Sequence, residues 1–147
     1  MSNPNFSSIL DEAPTEIDRP KPLPVGTYLC TVVGSPVYDK STKKGTPYVQ
    51  FTLKPIAAED DIDAEELADM GGFENKTIRA TYYTTEEAIY RLDEFHEHCG
   101  IDLTEPASRR SRNDDVVNAQ VRAVIKHRTS DDGTQLYAEL ARTLAAD

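Results

Sequence analysis

The sequence predicts a mainly β, α+β domain of five strands, with one helix between the third and the fourth. Three observations carry this. Strict alternation of polar and apolar residues recurs, in TPYVQFTLKPI (46–56) and AQVRAVIKHR (119–128). Turn chemistry separates paired segments, DKSTKKG early and TSDDGT late. One long stretch, 84–100, has helical spacing with start and stop signals.

Residues 1–24 read as an extended N-terminal arm, because Pro4, Pro14, Pro20, Pro22 and Pro24 block regular structure. Phe6, Ile9 and Leu10 form a small apolar cluster in it, suited to packing on the chain's own domain or to docking on another chain. The domain proper is expected over 25–145. GTYLCTVVGSPVY (26–38) is rich in β-branched and aromatic residues, and Gly34 and Pro36 predict a bulge. In the second strand Val49, Phe51 and Leu53 face inward, with Tyr48, Gln50, Thr52 and Lys54 outward. Gly45 supplies the left-handed residue of the turn between these strands.

Residues 57–75 form an acidic insert with a short helix in DAEELADM, stopped by Gly71-Gly72. KTIRATYY (76–83) is the third strand, with Ile78, Ala80 and Tyr82 on one face. Thr84 and Glu87 read as a capping box opening the main helix. Ile89, Leu92, Phe95 and Cys99 form its apolar stripe, and Gly100 ends it. Residues 101–118 are loop-like with a turn of helix at 113–118. The last hairpin joins 119–128 to 135–143 through Asp132-Gly133, a two-residue turn signal. This order matches the connectivity of the OB-fold, a five-stranded Greek-key barrel; other β-rich α+β arrangements give the same string, which fixes element order and not sheet closure.

Charge is segregated along the chain. The 147 residues carry net −10. Residues 56–75 hold eight acids and no base, whereas 19–55 hold six bases against Asp39 alone. Residues 106–128 hold six bases against two acids. The basic blocks coincide with the strand-like sequence. Cys30 and Cys99 make no disulfide framework, and reduced thiols in a cytoplasm are expected. The N-terminus lacks the pattern of a signal peptide, and no apolar run has membrane-spanning length.

No glycine-rich phosphate loop, Gly-x-Ser-x-Gly or His-Glu-x-x-His motif is present. In HEHC (96–99), His96 and Cys99 share a helix face. No second ligand pair accompanies them, so a core cysteine beside surface histidines is expected rather than a metal site. The acidic insert lacks EF-hand spacing. No catalytic residue, cofactor or metal is expected, and the protein reads as no enzyme.

Basic grooves with aromatic stacking platforms hold single-stranded nucleic acid. The candidate nucleic-acid-binding residues are Lys43 and Lys44 in the first loop, Tyr48 and Lys54 on strand two, Arg79 and Tyr83 on strand three, and Arg122 and Lys126 on strand four. The competing reading is an acidic protein-interaction module, a nucleic-acid mimic engaging another protein through the insert and arm.

The run PLPVGTYLCTVVGSPVYDKSTKKGTPYVQFTLKPI resembles the start of small phage-encoded single-stranded-DNA-binding or replication-associated proteins. The helix ending in Cys-Gly-Ile-Asp and the final hairpin are similar too, so the resemblance spans about 20–145. It implies an OB-like fold and a role in protecting or presenting single-stranded DNA during replication or recombination, in the host cytoplasm. Lys43, Lys44 and Gly45 match the family's turn, and Tyr48 the start of its second strand. The acidic insert departs from the pattern. The C-terminus, ARTLAAD, lacks the long acidic tail typical of bacterial single-stranded-DNA-binding proteins. Single-stranded DNA is the expected partner, beside a phage or host replication or recombination protein; no membrane is expected, and homo-oligomerisation is left open.

Overall fold

The computed structural model describes residues 22–146. The arm's apolar cluster, Phe6 to Leu10, lies outside the described residues. The chain forms β1 (Gly26–Lys40), β2 (Pro47–Ala58), α1 (Ala64–Asp69), β3 (Ile78–Tyr83), α2 (Ile89–His98), α3 (Arg109–Asp115), β4 (Gln120–Thr129) and β5 (Leu136–Ala145). The strands make one antiparallel sheet in the order β3-β2-β1-β4-β5. The edge strands β3 and β5 contact each other, and α2 packs against both.

Alternation fixes which side is buried. Val49, Phe51 and Leu53 of β2 share one buried cluster with Tyr28, Cys30 and Val32 of β1 and with Val121, Ala123 and Ile125 of β4. From α2, Leu92 and Phe95 close this core; Phe95 sits 4.7 Å from Phe51 and 5.0 Å from Tyr82, ring to ring. The predicted bulge is present: Val33 pairs with Thr52 and Val37 with Gln50, so Gly34–Pro36 oppose a single residue of β2. At the end of the arm, Leu23 is buried, its carbonyl meets His127 Nε2 at 2.7 Å, and the Pro24 carbonyl accepts from Tyr28 Oη at 2.9 Å.

The acidic insert is docked at the end of the sheet where β1 begins. Asp61 accepts from the Thr27 amide at 2.9 Å and from Thr27 Oγ1 at 2.7 Å, which holds its carboxyl below the ordinary 3.8. Ile62 is buried, and Phe73 packs edge-on against Tyr28 at 6.1 Å. Within the insert, Asp63 caps α1 by accepting from the Glu65 and Glu66 amides.

Three expectations give way. The α-helix begins at Ile89, with Ala88 as its cap and no side-chain capping bond, so the capping box does not form. Thr84 instead turns toward β2, where its amide and its hydroxyl both donate to the Pro47 carbonyl, at 3.0 and 3.3 Å. The helical turn foreseen at 113–118 lies earlier, at Arg109–Asp115, where the Ser108 hydroxyl caps it by accepting from the Ser111 amide. The β4–β5 connection is no two-residue turn, since Thr129 pairs with Leu136 and 130–135 form the loop. Its frame matches the β1–β2 loop, 41–46. In each, a serine amide donates to the carbonyl of the last loop residue (Ser41 to Thr46, Ser130 to Gln135). The serine hydroxyl then accepts that residue's amide, at 3.0 and 3.1 Å respectively. Gly45 (φ 66) and Gly133 (φ 74) provide the left-handed step.

Candidate nucleic-acid interface

The register of β2 and β3 sets the outer face of the sheet. Tyr48 stands opposite Tyr83, Gln50 opposite Thr81 and Thr52 opposite Arg79. The two tyrosine rings meet edge-to-face, 6.1 Å apart at 79°. Gln50 Nε2 donates to Thr81 Oγ1 at 2.8 Å, which fixes the next row. Lys43 and Lys44 are exposed in the turn of the β1–β2 loop. They line, with Tyr83 and Thr85, an open depression of about 540 Å³. Among the described residues neither lysine, nor Arg79, has a carboxylate within ion-pair distance.

Arg79 and Tyr83 continue into a groove of about 690 Å³ between β3 and β5. Lys126 faces them across it, and Tyr90, Arg91 and Arg142 complete its polar wall with Glu94 and Glu139. The Glu139 carboxylate lies 3.0 Å from Arg128 and 3.9 Å from Lys126 as an ion pair, so Lys126 is partly neutralised. The structure thus brings together Lys43, Lys44, Tyr48, Arg79 and Tyr83, with Lys126 at the far rim.

Lys54 and Arg122 are engaged elsewhere. Lys54 Nζ donates to the Glu74 carbonyl at 2.7 Å. Arg122 Nε donates to the Ala145 carbonyl at 2.7 Å, and its Nη1 pairs with Glu59 Oε1 at 3.4 Å. Glu59 and Glu74 lie near the two ends of the acidic insert, so its ends hold these two cations.

The HEHC segment differs from expectation in one respect. His96 is buried, not a surface residue, because Asn113 of α3 supplies a partner: His96 Nε2 meets Asn113 Oδ1 at 2.7 Å. Burial pushes its pKa below 6.5, against the opposing pull of the Asn113 bond. His98 Nδ1 meets Thr143 Oγ1 at 2.8 Å, tying α2 to β5. Burial pushes the Cys30 and Cys99 thiols up to about 12, the direction of unreactive core cysteines. Among the described residues no group of three His, Cys, Asp or Glu is placed to hold a metal ion, and no helix is long and apolar enough to cross a membrane.

Sequence reasoning missed Tyr90, Arg91 and Arg142 in the groove, and also Tyr38 and Arg110. The Arg110 guanidinium lies over the Tyr38 ring at 4.5 Å, and Arg91 over Tyr90 at 5.7 Å. The adjacent pairs Tyr90-Arg91 and Arg109-Arg110 were the available signal. No family model matches this sequence, and no curated protein is significantly similar to it.

Proposed function

We propose that this protein is a non-enzymatic, OB-like binder of single-stranded DNA that uses the outer face of β2 and β3. The observation that carries the reading is the meeting of the Tyr48–Tyr83 pair with Lys43, Lys44 and Arg79 on one surface. The exposed Tyr83 ring and the half-buried Tyr48 ring offer stacking faces for bases, and unpaired cations beside them neutralise phosphates. The sheet order, the contact between β3 and β5, and a helix between the third and fourth strands favour an OB-type barrel, whose strands two and three form the customary ligand face. The resemblance to phage proteins adds a role in protecting or presenting single strands during replication or recombination, in the host cytoplasm.

Titration of a labelled thymidine oligonucleotide at low and high salt, beside the matching duplex, tests this. Tight binding at low salt that weakens as salt rises, with duplex bound more weakly, supports it. Affinity indifferent to salt, or duplex bound equally well, overturns it.

A second reading rests on the insert. α1 buries none of its residues and displays Glu65, Glu66 and Asp69, while Asp61 and Ile62 anchor the segment beneath it. That makes a fixed acidic projection suited to a basic protein partner, as a nucleic-acid mimic would be. A phage or host protein captured by the wild type, retained by Lys43→Ala/Lys44→Ala and lost on neutralising Glu65, Glu66 and Asp69 would favour it.

A further inference from the structure

On the inner side of the β1–β2 hairpin lies a cleft of about 560 Å³, walled by the hairpin, α2 and α3. Tyr38 stands opposite Val49, which is buried, so the Tyr38 ring points to this side while Tyr48 serves the outer face. Apolar surface from Pro47, Ile89 and Leu92 forms one wall. Three cations border it. Arg109 is spent on Asp93, in a two-point contact at 2.9 and 3.0 Å. Lys40 and Arg110 have no carboxylate within ion-pair distance among the described residues. Asp39 is the single acid of the lining.

The Tyr38 ring is held although 42% exposed. Asn113 Nδ2 donates to Tyr38 Oη at 3.0 Å, and Asn113 Oδ1 accepts from the buried His96. Two buried polar side chains therefore position one exposed ring. A surface tyrosine placed only for solubility has no need of this. Ring immobilisation lowers the entropy lost when a flat ligand stacks on it. Tyr48 also borders the cleft, so the cleft adjoins the outer aromatic pair.

We infer that this cleft is a second nucleotide subsite, in which a base stacks at the Tyr38–Arg110 pair and Lys40 with Arg110 contacts its phosphates. The inference rests on the single-stranded-DNA reading and extends its path from the outer face to the inner side of the hairpin. An acidic peptide bearing an apolar side chain shares some of this chemistry. The guanidinium-stacked ring and the adjoining tyrosine pair favour a nucleic acid, whose every residue carries a flat face and a negative charge. Asn113 and His96 act here as positioning residues for the ring.

The test uses the full chain and a thymidine oligonucleotide carrying 5-iodouracil, which photocrosslinks to stacked aromatic side chains. Peptide mapping is expected to find Tyr38 crosslinked as well as Tyr48 or Tyr83. Tyr38→Ala is expected to weaken binding about tenfold, within the range of a lost stacking contact. Arg110→Glu, which leaves the ring in place, is expected to weaken it as well. Crosslinks confined to Tyr48 and Tyr83, with both variants binding as wild type, overturn the subsite and leave the outer-face reading standing. Absence of oligonucleotide binding by the wild type removes both. An acidic, phenylalanine-containing peptide bound by wild type and lost in Tyr38→Ala, with oligonucleotide affinity unchanged, reassigns the cleft to a protein ligand.

Discussion

Removal of Lys43 and Lys44 together should flatten the salt dependence of binding, whereas removal of Arg122 should not. The structure divides the cations into two sets. Lys43, Lys44 and Arg79 lack ion-pair partners among the described residues, while Arg122 pairs with Glu59 and Lys54 is bonded to the Glu74 carbonyl. Single strands give a slope of about −0.7 in log K against log salt for each phosphate neutralised. The three unpaired cations of the outer face contribute about −2 to that slope, a share worth about a 20-fold fall in affinity between ~50 and ~200 mM salt. With only Arg79 left on that face, its share drops to about −0.7 and the same change costs about threefold there. Fluorescence anisotropy across a salt series reads both. Arg122→Ala is expected to keep the wild-type slope, because its charge already faces a carboxylate. An Arg122→Ala slope as shallow as that of the double lysine variant would refute the division into engaged and unengaged cations.

Other perturbations probe the scaffold. Phe95→Ala removes the ring that meets Phe51 and Tyr82, and chemical denaturation should show a loss of about 3–5 kcal/mol; a loss below ~1 would show that the site collapses to fill the space. Gly26 has φ +141 and lies against Ile62, so Gly26→Ala should cost about 1–3 kcal/mol of unfolding free energy in chemical denaturation, through strain and displacement of the docked insert. His96 is held neutral by burial, so its folded pKa lies below the unfolded one. Stability is then complete above the unfolded value, near 6.5, and is lost as pH falls toward the folded one. Denaturation midpoints between about pH 7 and 5 should drop for wild type and less for His96→Gln; parallel curves would contradict that assignment.

Much of the sheet was legible because alternation is local. Val49, Phe51 and Leu53, like Val121, Ala123 and Ile125, declare their buried side within a few residues, and Gly34 with Pro36 marked the bulge. The helix start was not legible. Thr84 and Glu87 have the right spacing for a capping box, but Pro47, 37 residues away, offers Thr84 a competing acceptor. The candidate interface was half legible for the same reason. Tyr48 and Tyr83 could be assigned outward from their own strands. The partners of Lys54 and Arg122 come from segments 20 and 63 residues distant, where no periodicity reaches. The Tyr38–Arg110 stack likewise depends on α3 packing beside β1.

The paired serine frames of the two hairpin loops have a consequence for variation. Ser41 and Ser130 each close their loop from its first residue, so Lys43 and Lys44 at one tip contribute no bond to that closure. The opposite tip carries Asp131 and Asp132 on a matching frame. Asp132 reinforces its own loop by accepting from Ser130 and Thr134, which lowers its pKa to about 2. The first loop therefore behaves as an interchangeable cartridge: its charge is open to drift or redesign while the backbone that presents it stays as it is.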